Sequence, residues 1–70
     1  MHDDIVITTE RDIITVHGAA GERIRLFDSV GRLLANEMNP AEVKSFQVPS
    51  SGAYLVQVGN RPARKVVVIR

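Results

Sequence analysis

The chain contains no cysteine, so neither a disulfide framework nor a thiolate metal site can supplement its core, and its redox compartment is left open. Tryptophan is also absent, and Phe27, Phe46 and Tyr54 are the only aromatic residues. The core must therefore come from aliphatic side chains. Charge of one sign is missing too: nine basic and eight acidic side chains leave a formal net charge of +1. Arg11, Arg23, Arg25 and Arg32 are interleaved with Glu10, Asp12, Glu22 and Asp28. A nucleic-acid binder needs its basic residues gathered into a footprint, so this balance argues against one. No apolar run approaches the ~18 residues of a membrane-spanning helix, so no direct membrane insertion is expected. The opening residues Met1-His2-Asp3-Asp4 are acidic rather than basic and form no signal peptide. A role outside the cytoplasm would then make this sequence either a mature piece or a fragment of a longer exported precursor.

What is present is period-two alternation. Two stretches read as hairpin-like units, residues 24–34 and residues 46–58, each running through strand-forming residues into a short polar break that ends in glycine, Gly31 or Gly52, before resuming. Seven strands are predicted, over residues 5–9, 12–17, 22–28, 32–36, 42–48, 53–58 and 64–69. Breaks at this spacing point to an all-β sandwich or barrel rather than βαβ units. Seventy residues make one domain, and a domain of this size buries only ~60% of the surface its unfolded chain exposes, so every strand is needed. Residues 1–4 are expected to be a flexible tail and residues 5–70 the folded unit.

Alternation assigns faces. Ile14 and Val16 are expected inward, with Thr15 and His17 outward; Ile24 and Leu26 share one face, Arg23 and Arg25 the other. Phe27 falls on the arginine side, which predicts a position near a sheet edge or under a loop. Asp28 suits the first position of a turn and Gly31 the left-handed position that ends it. Val43 is a candidate bulge against the Lys44, Phe46 and Val48 phase. Asn39-Pro40 offers a helix cap, but too few residues follow before Pro49 for a stable helix, and the preferred reading is a turn into a strand. Tyr54, Val56 and Val58 share a face. The last strand, Arg64 to Ile69, reads either as buried on both sides or as an edge that seeks a partner.

Reactive groups are sparse. His17 is the only internal histidine, and its other possible companion, His2, sits in the tail, so a strand-end surface role is the plain reading. Asp3, Asp4, Glu10 and Asp12 lack the loop pattern of a calcium site. Gly18-Ala19-Ala20-Gly21 matches no phosphate-loop spacing and reads as a tight loop. Ser29, Ser45, Ser50 and Ser51 have no obvious base, and turn formation accounts for the last two. No cofactor and no catalytic residue is expected. Two interaction surfaces are candidates: an arginine face of Arg23, Arg25 and Arg32, otherwise solvated charge offset by Glu22 and Glu37, and the terminal strand, whose free backbone groups can accept an added strand.

Three pieces, Ile24-Arg25-Leu26-Phe27-Asp28-Ser29-Val30-Gly31-Arg32, Pro49-Ser50-Ser51-Gly52-Ala53-Tyr54-Leu55-Val56-Gln57-Val58 and Lys65-Val66-Val67-Val68, together resemble the C-terminal sorting domain of the type IX secretion system of Bacteroidetes bacteria. The likeness runs from about Ile5 to Arg70. It implies a small seven-stranded antiparallel immunoglobulin-like β-sandwich that acts as a non-catalytic secretion and sorting signal, recognised by an outer-membrane secretion-machinery protein. It also implies passage through the periplasm to a secreted or cell-surface destination. The residues carried over are Asp28, Gly31, Arg32, Gly52, Tyr54, Lys65, Val66, Val67 and Val68, which would shape or present the recognised surface. The competing expectation is a stand-alone β-sandwich with a structural or adhesive role.

Overall fold

The computed structural model describes residues 5–38 and 41–69; the predicted tail, with His2, Asp3 and Asp4, and the Asn39-Pro40 cap fall outside them. Seven strands follow one another: β1 (Val6–Glu10), β2 (Ile13–His17), β3 (Arg23–Asp28), β4 (Leu33–Met38), β5 (Val43–Gln47), β6 (Gly52–Val58) and β7 (Arg64–Val68). They form two antiparallel sheets, one ordered β1-β2-β5 and the other β4-β3-β6-β7. The result is a small all-β, seven-stranded antiparallel sandwich.

In the constant-type immunoglobulin arrangement the fourth strand joins the sheet of the first, second and fifth. Here β4 lies beside β3 instead. The link between them explains the choice. The Gly31 N–H donates to the Asp28 carbonyl at 3.0 Å, closing a four-residue turn too short to reach a sheet ~10 Å away. Gly31 holds φ at +90°, where an L side chain is strained, and open space surrounds the position a Cβ would take. Gly31→Val should therefore cost ~1–3 kcal/mol through backbone strain alone. Urea denaturation reads this directly, and a loss of only a few tenths of a kcal/mol would reject the turn geometry.

Side chains separate by face as the alternation predicts. Ile14, Val16, Ile24, Leu26, Tyr54, Val56 and Val58 are buried between the sheets with Phe46, Val48 and Val68. Ile5 and Ala19 complete this core. Ala19 is fully buried although it sits in the Gly18–Gly21 loop, where the Gly18 N–H donates to the Glu42 carbonyl at 2.8 Å. The strand that follows this loop, β3, leaves no helix N-terminus for a phosphate.

Four expectations need correction. Residues 46–58 do not form a hairpin: β5 pairs with β2, while β6 has β3 on one side and β7 on the other. Both edges of β6 are occupied, and the Val48 N–H donates to the Asp12 carbonyl at 2.8 Å, carrying the chain along the first sheet before it crosses. The bulge is not at Val43, whose pairing with β2 is continuous, but in β4, where the register steps from Leu26 opposite Ala35 to Phe27 opposite Leu33 and leaves Leu34 over. Phe27 is half-buried on an interior strand, not at an edge, covered by its cross-strand neighbours Leu33 and Leu55. Finally, Glu22 and Glu37 do not offset the arginine face: Glu22 pairs with Arg61 at 3.4 Å and Glu37 with Lys44 at 2.8 Å.

Lys44 and Glu37 hold inward phases on β5 and β4, the edge strands on one side of the sandwich, and their ion pair bridges the two sheets there. On the other side Arg64 donates through Nη1 to the Ile5 carbonyl at 2.9 Å, joining β7 to the chain entering β1. Inward-directed charge of this kind blunts sheet edges against uncontrolled pairing. Beyond Arg64, β7 turns only Val66 and Val68 inward, so most of that edge carries no such guard.

Candidate functional site

The three sequence pieces meet at one end of the four-stranded sheet. Asp28 stands opposite Tyr54 across β3 and β6, and Tyr54 stands opposite Val66 across β6 and β7. Gly52 faces Val68, and Lys65 faces Leu55, which in turn faces Phe27. Residues separated by up to forty positions are thereby placed in adjoining rows of one surface.

Asp28 organises the first corner. Its Oδ1 accepts hydrogen bonds from the Val30 N–H at 3.1 Å and the Arg32 N–H at 2.9 Å, and its Oδ2 accepts one from Arg32 Nε at 2.8 Å. The backbone bond from Arg32, followed by the guanidinium contact and the Val30 bond, holds the carboxyl below its usual range against the opposing effect of desolvation. A group whose folded pKa is depressed contributes stability above its unfolded pKa and loses it as pH falls through the folded value. Stability should therefore decline on acidification below the ordinary aspartate value of roughly 3.9. Asp28→Asn, which cannot titrate, should flatten that decline in an acid series of denaturation curves; an unchanged slope would reject Asp28 as its source. The Arg32 side chain itself is 78% exposed, so its ion pair is a minor contributor.

Tyr54 organises the second corner. Its ring is buried at the sheet end and its hydroxyl donates to the Ser50 carbonyl, four residues upstream, at 2.6 Å. This is the geometry of a tyrosine corner, which pins the chain as it crosses from one sheet to the other. A shallow groove of about 240 Å³ lies between the two corners, bordered by Asp28, Arg32, Leu34, Ser50, Gly52 and Tyr54. A second depression of about 260 Å³ adjoins it over Ser29, Ala53, Tyr54, Leu55 and Lys65. Sequence reasoning missed Leu34, brought here by the bulge, and the Ser50 carbonyl. The four-residue spacing from Ser50 to a strand-borne tyrosine was the available signal for the latter.

At the third corner Val68 is buried and Val66 half-buried, while Val67 is 54% and Ile69 77% exposed. The terminal strand is thus an edge with one face in the core and one in solvent.

Ser29, Ser50 and Ser51 border the groove, but its only carboxylate is Asp28, both of whose oxygens are engaged in the turn. His17 is far off in register, at the end of β2 on the other sheet, between Val6 and Val43. Asp12 accepts a hydrogen bond from Gln47 Nε2 at 2.9 Å. Among the described residues no group of three or more His, Asp or Glu side chains is placed to hold a metal ion, and no helix is long and apolar enough to cross a membrane. The gap among Ile5, Ile7, Val56 and Val58 measures about 10 Å³, room for at most a single water.

A family model described as a domain of unknown function, DUF6383, matches residues 1–68. No curated protein and no solved structure matches the chain.

Proposed function

The chain belongs to the DUF6383 family, whose function is unknown, and we propose that it is a non-catalytic sorting domain, read by a protein of an outer-membrane secretion machinery of the type IX kind. The observation that carries this reading is convergence. The Asp28 to Arg32 turn, the Gly52 to Tyr54 corner and the Lys65 to Val68 strand carry the resemblance to such domains, and they lie side by side at one sheet end.

The mechanism is recognition of a preformed shape. The buried row of Tyr54, Val56 and Val68 fixes the register of β7, because a slip of one residue would send Val68 to solvent and Val67 into the core. Held so, β7 presents its unpaired edge and the outward Lys65 and Val67 to a receptor, which can add a strand and read the flanking charge. A domain used this way accompanies its cargo through the periplasm to the cell surface or medium. Fusing residues 1–70 behind an inert cargo with a working export signal, in a bacterium with this machinery, should place the cargo outside the outer membrane. Retention of the folded fusion in the periplasm would overturn the assignment.

A further inference from the structure

The two outer faces of the sandwich differ in charge. On the three-stranded sheet the outward positions are mostly uncharged, with Thr8, Thr15, Ser45 and Gln47 among them and Glu10 at one margin. On the four-stranded sheet they include Arg23 and Arg25 of β3 and Lys65 of β7, and no Asp or Glu occupies an outward position on any of its four strands. Glu37 and Asp28, the acidic residues of those strands, fall in the inward phase, opposite Ile24 and Tyr54.

Beside the cations lies an apolar band. Leu33, Phe27 and Leu55 form one row across β4, β3 and β6, with Lys65 completing it on β7 and Val67 beside it. Leu33 is 51% exposed and Val67 54%, whereas Phe27 and Leu55 are half-buried in the pleat. Arg23 donates to the Asn36 side-chain oxygen at 2.9 Å. Among the described residues neither Arg25 nor Lys65 has a carboxylate partner. Arg25 is nonetheless half-buried, flanked in its row by Asn36 and Gln57. A half-buried guanidinium without a counter-charge is a group that gains from an arriving carboxylate.

The geometry points to this outer face as the docking surface for an acidic segment of a protein partner, its apolar side chains over Phe27, Leu33 and Leu55 and its carboxylates on Arg25 and Lys65. Arg25 borders the band from the next row along β3 and Lys65 ends it on β7, two strand spacings or ~10 Å across the sheet. An apolar centre with a charged rim is the anatomy of a protein interface. Single-stranded nucleic acid would need exposed aromatic rings for stacking, and the one aromatic here is half-buried. A lipid surface would need apolar groups that stand clear of the charges, whereas Phe27 and Leu55 are half-buried. This surface does not depend on the export reading, since it is drawn from the charge and burial of the sheet alone.

The test uses a short soluble peptide of leucine, valine and glutamate, its counterpart with lysine for every glutamate, and phosphatidylglycerol vesicles. Titration followed by amide chemical shifts should show the acidic peptide moving resonances of Arg25, Phe27, Leu55 and Lys65, with affinity falling as salt rises and no matching effect from the basic peptide. Lys65→Glu, an exposed change that leaves the core untouched, should weaken binding about tenfold, and Arg25→Glu at least as much. Val43→Glu on the opposite face should leave it unchanged. Absence of binding, equal binding of the basic peptide, or shifts mapping to the β1-β2-β5 face would overturn the proposal. Vesicle binding that exceeds peptide binding and is lost in Lys65→Glu would assign the face to a membrane instead, and so overturn it as well.

Discussion

Replacing Tyr54 with alanine is expected to bring the domain to the edge of unfolding. The ring is 4% exposed at the end of the core where β3, β6 and β7 meet, and removing a buried aromatic side chain costs ~3–5 kcal/mol. A domain of seventy residues has a total stability of only roughly 4–10 kcal/mol at the usual value per residue. A single truncation therefore removes about 30% or more of it. Tyr54→Phe separates the two contributions of the residue. It keeps the ring and deletes the bond to the Ser50 carbonyl, and because Ser50 is exposed, water can replace the lost donor. That loss should be about 1 kcal/mol. Urea denaturation of both variants gives the comparison. Equal losses would place the stabilisation in the hydroxyl rather than in burial, and a loss below about 1 kcal/mol for Tyr54→Ala would put the ring outside the core.

The seven strands were legible because period-two alternation is a local property. Ile14 and Val16, Ile24 and Leu26, and Tyr54, Val56 and Val58 announce their inward faces without knowledge of any partner. Partnership is not local, and that is where the reading of residues 46–58 failed. The Pro49-Ser50-Ser51-Gly52 break looks like the tip of a hairpin, yet the chain uses it to change sheets. Nothing in the alternation of Phe46 and Val48 records that β2 lies beside them. The bulge was misplaced for a related reason. The extra residue in β4 is one of two adjacent leucines, Leu33 and Leu34, both apolar, so the sequence carries no phase change there to betray it.

The sheet-end surface was legible in a different way. Asp28 with Gly31, Gly52 with Tyr54, and the Lys65 to Val68 run each carry a local signature of turn or strand, but their adjacency arises only from the pairing of β3 with β6 and of β6 with β7. The same pairing sets the outer face apart. Arg23 and Arg25 are separated in sequence from Lys65 by some forty positions, and the acidic residues around them, Glu22, Asp28 and Glu37, are all drawn into other contacts. A chain whose formal charges nearly cancel thus folds into an object with a one-signed face. Net charge is silent on this, because it does not record which side of a pleat each residue occupies.

Two neighbouring substitutions in the terminal strand should have opposite outcomes. Val68 is 1% exposed and faces the core opposite Gly52, so Val68→Asp places a carboxylate where neither water nor a cation can reach it. An uncompensated buried charge costs ~3–5 kcal/mol, enough to unfold most of so small a domain. Val67 is 54% exposed on the other side of the same strand, opposite Ala53, and Val67→Lys should change stability by no more than about 0.5 kcal/mol. The pair also separates folding from recognition. Val67→Lys keeps the sandwich while altering the outward row that Lys65 and Val67 present beside the β7 edge, so a fusion carrying it should remain folded and be exported poorly. Val68→Asp should lose both properties together. Circular dichroism with urea reads the folding, and the cargo assay reads the export. Equal stability losses at the two positions would mean that β7 does not hold the register that its pairing with β6 gives it, and the surface built on that register would fall with it.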